Sequence, residues 1–214
     1  MIRNGLVDKR KLITIQHSYN ISDDFYDYAN IFNRAGRKVA EEMVADNSIS
    51  KLDTIFFPVT FLYRHSIELI LKAIAFKYIK EKNSRKTFLK DTFHNLSMIL
   101  EEIEPYLTSF ISVDVNSYQW LKELLENMND IDKESDSFRY PFSIIRNKND
   151  KPMYRSKWIF EKQTHINILH LVNKMEIAFE ILNTYYLESY IKVEKYKNYN
   201  TEFLEEGGYY YGQS

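Results

Sequence analysis

The segment from Phe56 to Ile74 predicts a long helix that is apolar around most of its circumference. Its apolar side chains cover a wider arc than the single stripe with which a surface helix packs on a core. Such a helix is typical of the centre of a bundle, where other helices cover it on several sides. We therefore expect an all-α fold, a bundle of about five helices organised around this segment.

Ionisable residues nevertheless recur along one face of this helix. At about 100° per residue, Arg64, Glu68 and Lys72 fall within an arc of about 80°, and His65 follows at about 100°. A solvated face with i,i+4 ion pairs of about 0.2–0.5 kcal/mol each would show this spacing, as would a buried ion network with Arg139 that only fixes helix register. The wide apolar surface beside the stripe favours a groove between helices. There Arg64 and Lys72 are expected to neutralise a phosphate, while His65 or Glu68 moves a proton.

Composition indicates a single helical domain. The 214 residues include five Gly and four Pro, too few for the frequent tight turns of a β-sandwich or barrel. The hydrophobic content of 44% is within the globular range, and no linker divides the chain. The net charge of −1 provides no overall positive field, so any contact with RNA or DNA must come from a local patch.

The absence of cysteine excludes disulfide bonds, thiolate metal sites and a cysteine nucleophile. Residues 1–20 contain no continuous apolar run of the kind found in signal peptides, and no uncharged stretch is long enough to span a membrane. We therefore expect a cytoplasmic protein without a membrane segment. His165 and His170 are five residues apart and do not share a helix face well, so neither a metal site nor another cofactor is expected.

Apolar spacing and capping residues predict five helices, over residues 21–45, 53–82, 92–107, 114–128 and 161–195. Pro58 is expected in the first turn of the second helix, and Pro105 at a bend or at the end of the third. Residues 83–86 are expected to form a polar connection, and residues 138–156 a small β-hairpin or irregular insertion. The predicted organisation is an N-terminal arm, one helical domain and a flexible C-terminal tail, over residues 1–20, 21–197 and 198–214.

His94 is a candidate site residue outside the central helix. It falls in the first turn of the third predicted helix. A histidine in that position commonly caps the helix or packs against it. The alternative is a general base held near the positive end of a helix.

Asp132 begins a second candidate segment, which ends in the run Phe138-Arg139-Tyr140-Pro141. In one interpretation this segment is a turn locked by aspartate side-chain hydrogen bonds, and it buries Phe138 and Tyr140. In the other, a proline-anchored loop delivers Arg139 to the polar stripe of the central helix. Asp132 and Tyr140 are then expected to contact the substrate.

Three short blocks resemble uncharacterised bacterial helical proteins of the HEPN superfamily: FPVTFLYRHSIELILK, HNL and FRYP, at residues 57–72, 94–96 and 138–141. The resemblance covers roughly residues 25–195 and implies an α-helical bundle, often dimeric across its long helices. Many HEPN proteins are metal-independent ribonucleases of toxin–antitoxin, abortive-infection or other anti-phage systems, whereas others bind RNA or nucleotides without catalysis.

The resemblance therefore implies a ribonuclease or toxin-type effector in phage defence or growth arrest. It further implies a homodimer that acts on RNA or a nucleotide, with an antitoxin or sensor protein as partner. The alternative that it implies is a non-catalytic module that binds RNA, a nucleotide or a protein.

The sequence departs from the nuclease signature of that superfamily, which is an Arg followed after four to six residues by a His near the start of a late helix. No such pair begins at Arg139, Arg146 or Arg155, since His165 lies ten residues beyond Arg155.

Catalysis would therefore need a rearranged set of residues. In this set Arg64 and Arg139 contact the scissile phosphate, and Lys72 stabilises the developing charge. His94 or His65 then deprotonates a ribose 2′-hydroxyl.

Overall fold

The described part of the chain is almost entirely helical. A computed structural model describes residues 20–46, 49–132, 138, 143–145, 153–157 and 165–207. These residues form six helices and one pair of short antiparallel strands, which confirms the predicted all-α class: α1 Ile21–Asp46, α2 Ile49–Tyr78, α3 Lys82–Thr92, α4 Leu96–Phe110, α5 Val115–Ile131, β1 Ser143–Ile145, β2 Met153–Lys157 and α6 Ile168–Gly207.

The helix α2 lies at the centre of the bundle, as its apolar circumference predicts. It packs against α1, α4 and α6. Ile67, Ile70 and Ile74 on α2 are completely buried. Full burial of an aliphatic side chain of this size contributes roughly 1.5–3 kcal/mol to stability, so the covering of α2 is a main source of stability for the fold.

Polar side chains join α1, α2 and α6 along their length. Asp23 on α1 accepts hydrogen bonds from Lys77 Nζ of α2 and from the Tyr186 hydroxyl of α6, each at 2.7 Å. Nearer the N-terminus of α2, the Tyr63 hydroxyl donates to Glu176 Oε1 of α6 at 2.6 Å. These contacts fix the relative register of three helices around the core.

The segment predicted to be a polar connection is instead part of α3. The Glu81 side chain caps this helix by accepting from the Ser84 backbone N–H at 2.6 Å. Phe88 and Thr92 are the buried residues of α3. A single anchored face and a good cap therefore suffice for a short helix whose composition is mostly polar.

Both prolines lie inside helices, so the prediction that Pro58 lies in the first turn of its helix was wrong, and Pro105 does not end its helix. Because α2 begins at Ile49, Pro58 is well past its first turn, and α4 continues beyond Pro105. A proline removes one helical hydrogen bond. Ile103 and Leu107, on either side of Pro105, are completely buried, and this packing offsets the loss in α4.

The two strands lie where the sequence predicts a β-hairpin, and they pair antiparallel with Ser143 opposite Lys157. The last helix, α6, begins seven residues later than the expected start at 161 and continues to Gly207, so it includes residues 198–207 of the expected tail. The predicted N-terminal arm, apart from Asn20, lies outside the described residues. In the part of the chain that is described, no helix has a stretch apolar and long enough for a membrane span.

Two asparagines attach the start of α4 to α5. Asn95 caps α4 by accepting from the Met98 backbone N–H at 3.0 Å. Asn129 of α5 donates to Asn95 Oδ1 at 2.7 Å and accepts from the Leu96 backbone N–H at 3.1 Å. The turn between α3 and α4 is therefore fixed at its C-terminal end by side chains of two helices.

We expect Asn129→Ala to lower the free energy of unfolding by about 1–3 kcal/mol, because it leaves the Leu96 N–H and the Asn95 side chain with unmade bonds near the core. Urea denaturation followed by circular dichroism measures this loss. Asn127→Ala is the matched control, since Asn127 is exposed on the same helix and bonds only to the Glu123 carbonyl. Equal losses for the two variants would contradict the proposed role of Asn129.

Candidate acid–base site

Five ionisable side chains from three parts of the chain meet beside α2. We call them the ionic cluster: Arg64, Glu68, Lys72, His94 and Asp132. The first three lie on successive turns of α2, whereas His94 lies in the turn between α3 and α4 and Asp132 follows the last residue of α5. The polar stripe of α2 therefore faces inward, against two other segments.

Arg64 is the most enclosed member of the ionic cluster, with only 1% of its surface exposed. Its Nη1 lies 3.5 Å from Glu68 Oε2, and its Nε forms an ionic contact of 3.2 Å with Asp132 Oδ2. Its Nη2 donates to the backbone carbonyls of His94 at 3.0 Å and Asp132 at 3.2 Å. A buried guanidinium is tolerated only with opposite charges and acceptors of this kind around it.

Glu68 connects the buried cations to His94. Its Oε1 accepts from Lys72 Nζ at 2.6 Å and lies 2.7 Å from His94 Nδ1, and only 2% of the residue is exposed. Burial raises the pKa of Glu68, but the charge of Lys72 and the hydrogen bonds from Lys72 and His94 outweigh it, so the pKa lies below its ordinary value. Glu68 is therefore ionised at neutral pH.

The His94 side chain is the member of the ionic cluster that reaches solvent most, with 28% of its surface exposed. An ionised carboxylate can only accept a hydrogen bond, so the proton shared with Glu68 belongs to His94 Nδ1. This tautomer leaves Nε2 as the nitrogen that can exchange a proton with a bound molecule. The arrangement is an oriented imidazole with a buried carboxylate behind it.

The turn that carries His94 is held from several sides. His94 precedes the cap residue Asn95, so it lies just before α4. The predicted position in the first turn of that helix was therefore wrong. Arg64 holds the His94 carbonyl, and Glu68 holds its ring. Two residues one turn apart on α2 thus fix both the backbone and the side chain of the candidate base.

His65 packs its ring against aromatic side chains, although its helical angle placed it near the polar stripe. Its ring stacks on Phe61 with centroids 5.6 Å apart and meets the edge of Phe32 of α1 at 4.6 Å. The observed ring contacts of His65 are therefore with one aromatic residue of its own helix and one of α1.

The second candidate segment is described only in part. Asp132 is buried and joins the ionic cluster, and Phe138 is buried with its ring 6.1 Å from that of Phe56. Arg139 and Tyr140 lie outside the described residues. The residues between Asp132 and Phe138 also lie outside the described residues, so both interpretations of this segment stay open.

A surface cleft of about 380 Å³ lies between α3 and α4. Its lining is mostly polar and is formed by Ile79 and by residues of α3 and α4: Asn83, Ser84, Thr87, Phe88, Asp91, Thr92, Glu102 and Tyr106. His94 does not line it. Within the described residues, no group of three or more His, Asp and Glu side chains is arranged to hold a metal ion.

Sequence reasoning missed the two asparagines that support the site. Asn95 stands directly before an apolar helical run, which is a recognisable capping signal, whereas nothing local marks Asn129 as its partner.

No protein-family model, curated protein or solved structure matches the chain.

We expect Glu68→Gln to lower the free energy of unfolding by about 3–5 kcal/mol, because it leaves two buried cations, Arg64 and Lys72, without their shared counter-charge. Urea denaturation at neutral pH measures the effect. The matched control is Glu101→Gln, since Glu101 is exposed and meets Lys122 only at 3.8 Å. We expect that control to change stability by less than about 0.5 kcal/mol, and similar losses for both variants would refute the assignment.

The lowered pKa of Glu68 also predicts a pH dependence. A carboxyl group with a lower pKa in the folded state stabilises the fold fully above its unfolded pKa, and this contribution disappears as pH falls through the folded value. The stability difference between the wild type and Glu68→Gln should therefore be large at pH of about 7 and should narrow below a pH of about 4. A difference that stays constant down to pH of about 2.5 would exclude an ionised Glu68 as the source of stability.

Proposed function

We propose that this chain is a HEPN-like protein in which His94 and Glu68 perform metal-independent acid–base chemistry on RNA. The observation that supports this most is the 2.7 Å contact between His94 Nδ1 and Glu68 Oε1, made by a buried carboxylate to an imidazole that reaches solvent. A carboxylate that orients an accessible imidazole is a common arrangement for general acid–base catalysis.

The proposed reaction is cleavage of a phosphodiester bond by the neighbouring 2′-hydroxyl. His94 Nε2 removes the proton of the 2′-hydroxyl, and the 2′-oxygen attacks the adjacent phosphorus. The bond to the 5′-oxygen breaks, leaving a 2′,3′-cyclic phosphate, and the imidazolium returns the proton to the departing 5′-oxygen. Glu68 stabilises the imidazolium while it carries this proton, because the two groups are already in contact.

The other members of the ionic cluster act in this proposal as positioning residues. Arg64 is too enclosed to contact a phosphate, and its nitrogens already face Asp132, Glu68 and the His94 carbonyl. Lys72 holds the Glu68 carboxylate. In this assignment the base is His94 and not His65.

In this proposal, Arg139 and Tyr140 contact the phosphate and the substrate. Both lie in the FRYP block, which contributes to the resemblance to the HEPN superfamily. The buried position of Phe138, directly before Arg139, supports an anchored segment at this point of the chain.

The proposed cellular role follows from the same resemblance. It is a toxin-type effector in phage defence or growth arrest, acting in the cytoplasm as a homodimer and restrained by an antitoxin or sensor protein. Support for this role comes from the FPVTFLYRHSIELILK block of the central helix and from the all-helical bundle.

A second candidate is a non-catalytic module that binds RNA, a nucleotide or a protein. The observation that favours it is the mutual neutralisation of Arg64, Lys72, Glu68 and Asp132 inside the protein. Networks of this kind also occur where their role is to fix one packing arrangement. In this alternative His94 closes the network and transfers no proton.

Cleavage of a labelled single-stranded RNA by the purified protein tests the proposal. We expect His94→Ala to lower kcat by a factor of about 10² to 10⁴ with little change in RNA affinity. His170→Ala is the control, because His170 is exposed on α6. DNA of the same sequence should remain intact, since it lacks the 2′-hydroxyl, and the RNA product should carry a cyclic phosphate.

The outcomes separate the two candidates. RNA that binds to the wild-type protein but stays uncleaved supports the non-catalytic module. Cleavage that persists unchanged in His94→Ala excludes His94 as the base. Expression of the wild type, but not of His94→Ala, should arrest growth if the effector role is right.

A further inference from the structure

One residue of the α3–α4 turn has an unfavourable backbone conformation. Phe93 has φ of 46° and ψ of −104°, and among the described residues it is the one non-glycine residue with positive φ. Such a conformation is rare for a bulky side chain. Glycine would adopt it at lower cost.

Burial of the side chain does not offset this cost. Phe93 is 59% exposed, whereas Phe88 in the preceding helix is buried. Within the described residues, His94 is the one aromatic neighbour of the Phe93 ring, with centroids 4.2 Å apart and planes at 68°. The turn therefore holds an exposed aromatic ring beside the proposed base.

The contacts around the turn keep Phe93 in this conformation. Its N–H closes α3 by donating to the Leu89 carbonyl at 3.1 Å. Arg64 holds the carbonyl of the next residue, and Asn95 caps the helix that follows. The ring is thus presented on a fixed backbone, as binding residues on supported turns commonly are.

We propose that Phe93 is a stacking platform for an unpaired base of single-stranded RNA, which places the attached ribose beside His94. This inference rests on the proposed function. Aromatic side chains stack on bases of any sequence, and single-stranded RNA exposes its bases for such contacts. A chain with a net charge of −1 gains little from a general electrostatic field, so stacking supplies affinity that charge does not.

Binding of a fluorescent single-stranded RNA, followed by anisotropy at one fixed salt concentration, tests the platform in the full-length protein. We expect Phe93→Ala and Phe93→Gly to raise Kd by a factor of about ten, and Phe93→Trp to stay within about twofold of the wild type. Phe93→Gly should also raise Tm, because glycine relieves the strained backbone. The control is Tyr28→Ala, since Tyr28 is exposed on α1, far along the chain from the turn.

The outcomes distinguish this inference from the proposed catalysis. If His94→Ala abolishes cleavage but Phe93→Gly binds RNA as tightly as the wild type, the platform is wrong and the catalytic role of His94 stands. If RNA binding depends on Phe93 but no RNA is cleaved, the platform stands and the catalytic proposal fails. If Phe93→Gly lowers Tm and Phe93→Trp fails to retain binding, Phe93 is a structural residue and the inference is overturned.

Discussion

The arrangement around α2 depends on the burial of one charge, the guanidinium of Arg64. A cation with 1% exposure destabilises the fold unless opposite charges and carbonyl oxygens surround it. Asp132 at the end of α5, Glu68 one turn along α2 and the carbonyl of His94 provide those groups. Enclosing Arg64 therefore requires three segments to meet at one place, and the position of the α3–α4 turn follows from this requirement.

The same contacts place one end of the ionic cluster in the interior and the other, His94, toward solvent. Arg64 and Lys72 are balanced by Glu68 and Asp132, so the charges compensate one another inside the protein. His94 is attached to this balanced interior through Nδ1 and extends toward solvent. The ionic cluster can thus either fix the packing of the helices or orient His94 as the acid–base residue of a site. The two functions differ in whether Nε2 of His94 meets a substrate.

Local pattern predicts the composition of this site but not its burial. The four-residue spacing identifies Arg64, Glu68 and Lys72, yet the same spacing occurs on solvated helices. The stripe faces inward because Arg64 contacts His94 and Asp132. These two residues follow Arg64 by 30 and 68 positions along the chain. Such long-range contacts leave no periodic signal in the sequence. The wrong placement of Pro58 has a related cause, because tertiary packing overrides a local helix rule.

The α3–α4 turn shows how a residue that contradicts local preference can persist. Nothing in the sequence around Phe93 indicates positive φ, for which glycine is the usual choice. The turn is held at its N-terminal end by the bond from the Phe93 N–H to the Leu89 carbonyl, and at its C-terminal end by Arg64 and by the contact between Asn95 and Asn129. A turn constrained at both ends keeps His94 at a constant distance from Glu68, and acid–base chemistry needs that constancy. The contact of Arg64 that holds the backbone next to Phe93 therefore also holds the backbone of His94.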